Sequence, residues 1–247
     1  MKLSTVLSAV NENPNYYNFI PKQILFWNKF NIKFIAVYVG KSLPDELLPY
    51  SDNIILWSRN HNLNTAFVAQ NIRIYYPSLI KVPDDEMVMI TDMDMLPMSD
   101  DYYKNDMEKY NINDFIYYRH IDGDQIYIMY NATHPKTWGR VFNISSEEDI
   151  EEALNNTYKS GYSGVPGSHG WWIDQKLLYK KLIGYKNLKV LNRPIKRLGN
   201  KLYRTLLKKG ETDFAKNYDD AHFHRSYSDN LDLILDAEKQ LGITELA

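Results

Sequence analysis

The sequence of 247 residues contains no cysteine. This absence excludes disulfide bonds, catalytic thiolates and zinc sites built on cysteine. It is typical of proteins from a reducing compartment, so we expect a cytoplasmic protein. Long apolar runs are also missing, because no stretch approaches the roughly 20 residues that a membrane-spanning helix needs. The apolar residues near the start are predicted to form a buried strand rather than a signal peptide or a transmembrane segment.

The sequence has no large excess of either charge. It carries 29 Lys and Arg residues against 31 Asp and Glu residues, which gives a formal net charge of −2. This balance does not favour binding to nucleic acid or to an anionic membrane surface, so nucleic acid is not an expected partner. The length fits a single domain, residues 1–247, in which a central sheet is covered on both faces.

Strand and helix patterns alternate in the first half of the chain. The order strand, helix, strand, short helix, strand, helix, strand is found at residues 3–10, 21–30, 33–40, 44–50, 53–58, 65–76 and 86–91. This alternation predicts an α/β fold with a mostly parallel central sheet flanked by helices. In such sheets, ligands bind beyond the carboxyl ends of the strands.

The second half of the chain is less regular. Its apolar patterns predict two strands, a capped helix, a glycine-rich loop, a further helix and an amphipathic helix, at residues 115–120, 125–132, 145–158, 160–172, 174–183 and 228–242. The cap of the first of these helices is expected to be Ser145 or Ser146, because acidic residues follow in the first turn.

Two aspartates follow directly after the apolar strand at residues 86–91. Asp92 and Asp94 are separated by one residue, so in an extended chain both carboxylates point the same way. Two like charges this close repel each other unless a cation lies between them. Mg²⁺ and Mn²⁺ bind carboxylate oxygens and commonly add the phosphates of a substrate. We interpret the pair as a metal–diphosphate site, with a merely polar strand end as the alternative.

A second Asp-x-Asp stands in a different context. Asp122-Gly123-Asp124 lies between two predicted strands, and its glycine is typical of a turn. We interpret this copy as structural.

The first Asp-x-Asp belongs to a longer segment that resembles the GT-A-fold glycosyltransferases, which are Rossmann-like. The resemblance is strongest to the retaining group of glycogenin-like and galactosyltransferase-like enzymes. There, a helix with an Arg, followed four residues later by a Pro, precedes the strand and its Asp-x-Asp; here these are Arg73, Pro77 and Asp92-Met93-Asp94. The stretches "WWIDQKLL" and "DAHFHR" are similar, in the same order, to two later segments of that group. Similar single domains occur in large DNA viruses, and a viral protein of this kind would act in the host cytoplasm.

The resemblance implies the ligands of the metal. His222 would complete a site with Asp92 and Asp94, and this mixture of carboxylates and imidazole favours Mn²⁺, with Mg²⁺ possible. Arg73 would pair with a carboxylate or with the donor.

The resemblance also implies where the UDP-sugar donor binds. The family usually follows its histidine with Gly and then Lys-Pro-Trp, whereas this chain has His224, Arg225 and Ser226, so Arg225 is the expected phosphate ligand. Tyr16 or Tyr17 would stack on the base, with packing alone as the alternative in a chain that has 20 tyrosines. The residues predicted to bind the nucleotide sugar are Ser8, Ala9, Val10, Asn11, Tyr16, Arg73, Asp92, Met93 and Arg225.

Asp174 and Gln175 match the family's Asp-Gln pair at the start of a helix, which implies that they are catalytic and face the reacting carbon or the acceptor hydroxyl. A simple helix cap is the alternative for Asp174. His169, Trp171 and Trp172 lie just before them and are predicted to form an acceptor-binding wall, with packing of one Trp in the core as the alternative.

These features predict a metal-dependent hexosyl- or deoxyhexosyltransferase. It would move a sugar from a UDP-sugar to a glycan, a glycoprotein or another hydroxyl acceptor, with retention of configuration. Residues 1–118 would bind the donor, residues 119–225 the acceptor, and residues 226–247 would form a C-terminal helix. A nucleotidyltransferase is one alternative, although the Gly-rich loop and basic residue usual after its first strand are absent from "SAVNENPNYY". A catalytically silent nucleotide-sugar-binding module is the other.

Overall fold

The computed structural model describes residues 1–119, 121–158, 162–165, 167–191, 213–214, 218–223 and 226–243. Within these ranges, none of the helices combines the length and the apolar composition needed to cross a bilayer. The strands are β1 (Lys2–Asn11), β2 (Lys33–Val39), β3 (Ile54–Trp57), β4 (Glu86–Ile90), β5 (Met95–Pro97), β6 (Phe115–Tyr117), β7 (Ile121–Asp122), β8 (Gln125–Ile126), β9 (Asn131–Thr133), β10 (Leu188–Val190) and β11 (Asp220–His222).

Helices connect most of these strands. The α-helices are α1 (Pro14–Tyr17), α2 (Ile20–Lys29), α3 (Thr65–Tyr75), α4 (Asp101–Lys104), α5 (Pro135–Phe142), α6 (Glu147–Thr157), α7 (Ile173–Leu182) and α8 (Leu231–Leu241). Short 3₁₀ helices lie at Asp45–Asn53, Tyr76–Leu79, Met107–Lys109 and Ser228–Asn230.

Seven strands form the central sheet in the order β3-β2-β1-β4-β9-β6-β10. Strand β1 is parallel to both β2 and β4, and Leu7 lies opposite Ile35 on one side and Ile90 on the other. Strand β9 is antiparallel to both of its neighbours, β4 and β6. The other six strands share one direction, so their carboxyl ends meet at one edge. The predicted α/β fold with a mostly parallel sheet is therefore confirmed.

Apolar side chains from the sheet point into two cores. In β1, Val6 and Leu7 are both fully buried but belong to opposite cores, as the alternation of side chains along a strand requires. Helices α2 and α8 cover the first core, for example with Trp27 and Ile234. Helices α3, α5, α6 and α7 cover the second, for example with Phe67. Burial on both faces explains the continuous apolar runs of the parallel strands.

Several local predictions are confirmed. Ser146 caps α6 in a capping box with Asp149, whose side chain accepts from the Ser146 backbone N–H at 3.0 Å. Gly123 has a φ of 58° in the turn between β7 and β8, so the second Asp-x-Asp is part of a hairpin. The C-terminal amphipathic helix is α8.

The predicted strand at residues 125–132 is wrong. It is interrupted between β8 and β9, because the side-chain amide of Asn131 donates to the carbonyl oxygens of Tyr127 and Ile128, both at 2.7 Å. These carbonyls are thus bound locally instead of by a neighbouring strand. Helix α5 has no counterpart among the predictions, although Pro135 at its first position is a visible start signal.

A buried ion pair joins the C-terminal helix to the first half of the chain. Lys22 Nζ on α2 lies 2.8 Å from Glu238 Oε1 on α8, and the two side chains are 8% and 9% exposed. Removing one partner of such a pair leaves an uncompensated buried charge, whereas replacing both removes the desolvation cost.

We expect Lys22→Met to lower the free energy of unfolding by about 3 kcal/mol. The double variant Lys22→Met/Glu238→Leu should recover most of this loss, because no charge is then left in the core. Urea unfolding of the three proteins measures both effects. A double variant as unstable as the single one would contradict the expectation.

Candidate active site

The chain between β4 and β5 turns at the carboxyl edge of the sheet. The backbone N–H of Thr91 donates to the Leu7 carbonyl at 3.0 Å, which extends the pairing with β1 by one residue. The hydroxyl of Ser8 donates to the Thr91 carbonyl at 2.9 Å. Asp92 and Asp94 follow directly. The end of β1 therefore fixes where the two acids leave the sheet.

Asp94 meets His222 at this edge. Its Oδ1 lies 3.3 Å from Nε2 of His222, and the two side chains are 7% and 10% exposed. The antiparallel pairing of β5 with β11 produces this contact, because it places His222 opposite Met95. The backbone N–H of Phe223 also donates to the Asp94 carbonyl at 2.9 Å. Two residues that are 128 positions apart are thus held together by strand pairing.

A buried charge cluster holds β11 against the main sheet. Asp220, on the same face of β11 as His222, forms an ion pair with Arg119. It also accepts a hydrogen bond from the hydroxyl of Tyr130 at 2.9 Å. The Arg119 guanidinium lies over the rings of Tyr102 and Tyr130, at 5.4 and 5.5 Å from their centroids. These contacts connect the strand that carries His222 to residues beside β6 and β9.

Arg73 lies between two acids of the site. From α3 it forms ion pairs with Asp92 and with Asp174, whose Oδ2 lies 2.7 Å from Nη2. Burial acts to lower the pKa of Arg73, but the two carboxylates more than offset this effect and keep the pKa above its ordinary value. Arg73 therefore stays charged and joins the turn after β4 to the start of α7.

Asp174 is fully buried and multiply bound. Its Oδ1 accepts from the Gln70 side-chain amide at 3.0 Å and from the Gln175 backbone N–H at 2.8 Å. Burial raises the pKa of Asp174, and Arg73 opposes this rise. Tyr162 donates to Gln70 Oε1 at 2.6 Å, and burial raises the pKa of Tyr162 to about 12, so this hydroxyl keeps its proton at neutral pH.

Gln175 lies at the surface of the same cluster. It is half-buried, and its Oε1 is buried with no hydrogen-bond partner among the described residues. A buried acceptor oxygen without a partner carries the cost of its desolvation. Asp174 and Gln175 are therefore neighbours with different environments: the first is saturated by protein contacts, and the second is not.

The residues predicted to bind the nucleotide sugar lie at the expected edge, but not all are accessible. Ser8, Val10 and Met93 are buried, and Val10 and Met93 belong to the first core. Ala9, Asn11 and Tyr16 are half-buried, and the Asn11 amide donates to the Thr65 hydroxyl at 3.1 Å. Arg225 lies outside the described residues.

The loop before α7 borders a cavity. His169 and Trp172 are exposed and line a cavity of about 830 Å³ between this loop, the end of α6 and one face of α7. Trp172 is 41% exposed. Trp171 is half-buried and does not line this cavity; its carbonyl accepts a hydrogen bond from Gln70 beside Asp174. Two of the three residues predicted to form the acceptor wall are thus together on one surface.

The side chains at this edge can be compared with the coordination that a divalent cation needs. Among the residues that the structure describes, no three His, Asp or Glu side chains are grouped closely enough to hold a metal by themselves. Asp94 and His222 nevertheless suit one ion, since two ligands at right angles, each about 2.1 Å from it, lie about 3 Å apart. The remaining positions can be filled by phosphate and water oxygens. The residues present fit Mn²⁺ or Mg²⁺, while Asp92 is turned to Arg73.

Sequence reasoning missed the residues that support this site. Gln70, Tyr162 and Arg119 are ordinary polar residues in the sequence and belong to none of the short motifs, while Asp220 begins the segment "DAHFHR" but has no predicted role. A weak signal existed for Gln70. It stands three residues before Arg73 on the same helix, so the two side chains share one face. Their roles follow from tertiary contacts.

Comparison with known proteins identifies the fold. No protein-family model matches the sequence, and no curated protein matches it. The structure is similar to the glycosyltransferase GlyE of Streptococcus pneumoniae TIGR4, with a TM-score of 0.53 and 13% identity, over 98% of this chain and 63% of GlyE. It also matches the galactosyltransferase LgtC in complex with donor and acceptor sugar analogs, with a TM-score of 0.48 and 11% identity, over 98% and 97% of the two chains.

The likeness to GlyE carries the fold assignment. This α/β chain with its seven-stranded sheet has the GT-A-like fold of that glycosyltransferase, and it spans 63% of the GlyE length. At 13% identity the likeness concerns the fold.

We expect Arg73→Met to lower the free energy of unfolding by about 3–5 kcal/mol, because Asp174 would stay buried without its cation. Arg59→Met is the matched control. Arg59 also contacts three glutamates, Glu147, Glu148 and Glu151, but its side chain is 35% exposed. Its loss should cost clearly less than the loss of Arg73, because solvent screens exposed ion pairs. Equal losses for the two variants in urea unfolding would show that burial of the Arg73 pairs is unimportant.

Proposed function

We propose that the protein is a metal-dependent glycosyltransferase that uses a UDP-sugar donor and a hydroxyl acceptor on a glycan or glycoprotein. One observation carries the proposal. Asp92, Asp94, Asp174 and His222 come from three distant segments and converge at the carboxyl edge of a GT-A-like sheet. This edge is where α/β sheets bind ligands.

The Asp94–His222 pair would hold the cation, and Asp92 remains the third predicted ligand. Bound there, Mn²⁺ or Mg²⁺ would neutralise charge on the departing diphosphate. The near-complete burial of Asp94 and His222 favours this role, because water is largely excluded around the pair and a cation held there would be attracted more strongly than in water.

Arg73 would organise the donor side. It is charged, and it holds Asp92 and Asp174 in fixed positions on either side of it. The guanidinium bridges the two carboxylates through separate nitrogens and would keep both oriented before the donor binds. Arg225 remains the predicted phosphate ligand. Asn11 and Tyr16, at the end of β1 and on α1, are half-buried and remain the predicted nucleoside contacts.

The surroundings of Asp174 support retention of configuration. Inversion needs a general base that can reach the acceptor hydroxyl. Asp174 is fully buried and already accepts from Arg73, Gln70 and Gln175, so its oxygens are occupied. The half-buried Gln175 side chain would instead contact the substrate, while Asp174 holds Arg73 against the start of α7. His169 and Trp172 would contact the acceptor.

The saturation of Asp174 also favours a second candidate, a silent nucleotide-sugar-binding module. Such a module would bind UDP-sugar and metal without turnover. Product formation from a panel of UDP-sugars and simple sugar acceptors distinguishes the two functions.

We expect Asp94→Ala to abolish Mn²⁺-dependent binding of UDP while the protein stays folded. Asp122→Ala is the matched control, because it removes an acid of the other Asp-x-Asp, which lies exposed in the β7–β8 hairpin. Thermal shift with UDP, with and without Mn²⁺, gives the measurement, since a ligand that binds the native state raises its melting temperature. An Mn²⁺-dependent shift that survives in Asp94→Ala would refute the metal site.

We expect the product to keep the anomeric configuration of the donor sugar. In that case Asp174→Asn should reduce turnover by misplacing Arg73 and substrate, and the residual activity should show no new pH dependence. NMR of the anomeric proton of the product reads the configuration directly. The opposite configuration, together with near-total loss in Asp174→Asn, would make Asp174 a general base and overturn retention.

A further inference from the structure

A buried glutamine lies behind the turn that carries Asp94. Gln23 on α2 is 0% exposed. Its Nε2 donates to the carbonyl oxygens of Met93 and Met95, both at 2.7 Å, and lies 3.4 Å from that of Asp92. Its Oε1 accepts from the indole N–H of Trp27 at 2.9 Å. All hydrogen-bonding groups of this side chain are therefore used.

The partners fix the orientation of the Gln23 amide. Backbone carbonyls can only accept, and an indole N–H can only donate, so the amide nitrogen must face the turn and the oxygen must face Trp27. Trp27 is itself fully buried one helical turn further along α2. This position needs one side chain that donates two hydrogen bonds to the turn and accepts one from Trp27. Glutamine has both groups.

The two bound carbonyls belong to the residues on either side of Asp94. The Met93 carbonyl belongs to the peptide plane just before Asp94, and the Met95 carbonyl belongs to the plane that follows Met95. Holding both of them brackets the turn at Asp94 and so limits the direction of its side chain. On the other side of the turn, the Asp94 carbonyl accepts from Phe223 N–H at 2.9 Å. The segment is thus held from the helix side by Gln23 and from the strand side by β11, and the Asp94 carboxylate points at His222.

We propose that Gln23 is a positioning residue for metal binding: it fixes the backbone around Asp94 so that the carboxylate stands ready beside His222. The inference rests on the proposed function, because it assigns Gln23 to the same metal site. Without Gln23 the turn would have to be ordered when the cation binds, and the entropy of that ordering would weaken the affinity.

Gln23→Glu tests this role. The glutamate keeps an acceptor for Trp27 but places a carboxylate oxygen against the Met93 and Met95 carbonyls. Asn131→Asp is the matched control. Asn131 is also 0% exposed and its amide also donates to two backbone carbonyls at 2.7 Å, but these belong to Tyr127 and Ile128. Both variants therefore place a carboxylate against two buried carbonyls, and Gln23→Glu alone does so at the Asp94 turn.

The readout is Mn²⁺ affinity in the presence of UDP, measured by isothermal titration calorimetry on protein shown to be folded. We expect Gln23→Glu to weaken Mn²⁺ binding at least tenfold, with metal-free UDP binding unchanged. Asn131→Asp should leave both affinities unchanged although its melting temperature falls by a similar amount. Gln23→Met, which introduces no charge, should also weaken Mn²⁺ binding and serves if the glutamate variant does not fold.

Three results would overturn the inference. Unchanged Mn²⁺ affinity in folded Gln23→Glu or Gln23→Met removes it while leaving the proposed function intact. An equal loss in Asn131→Asp shows that general destabilisation, and not the Asp94 turn, is responsible. Absence of Mn²⁺-dependent UDP binding in the unaltered protein refutes the proposed function, and the inference falls with it.

Discussion

The arrangement of the site depends on one buried cation. Arg73 holds Asp92 and Asp174, which are 82 positions apart in the chain, on either side of a single guanidinium. Without this cation the fully buried carboxylate of Asp174 would strongly destabilise the fold, because it would be an unpaired charge in the interior. Gln70, one helical turn earlier on α3, binds Asp174 and the Trp171 carbonyl and so extends the same constraint to the loop before α7. Helix α3 thus holds together the turn after β4, the start of α7 and the loop before α7.

Much of the fold could be predicted because its elements have strong local signals. The apolar runs of β1, β2 and β4 and the helical periodicity of α3 depend on which residues face a core. That pattern can be recognised from residues that are close together in the sequence. The break between β8 and β9 could not be predicted in this way. It depends on one Asn131 side chain that binds two carbonyls of its own segment, and "QIYIMYNA" otherwise has the composition of a strand. The short strands β5 and β11 pair with each other across a long separation in the sequence, so neither has a local signal that predicts it.

The candidate site likewise contains residues that have a local sequence signal and residues that have none. Asp92 and Asp94 stand out because acids rarely end an apolar strand, and the structure places Asp94 beside His222. The resemblance that pointed to Asp174 and His222 depended on the order of short motifs, whereas Gln23 and Gln70 belong to none. A buried Gln in an apolar helix has the same appearance in a sequence whether it binds a turn, an indole or a water molecule. Its meaning depends on which distant carbonyls it meets, and no local pattern contains that information.

Strand β9 has a mechanical consequence. It pairs with β4 on one side and with β6 on the other, so the segment that carries the acids and the segment beyond residue 114 belong to one continuous hydrogen-bonded sheet. Closure of the hinge type requires two bodies joined by a compliant connection. Here a rotation of one half against the other would have to shear a ladder buried between two apolar cores. Opening and closing around ligands would therefore be left to side chains and surface loops, while the strands on either side of β9 keep fixed positions relative to each other.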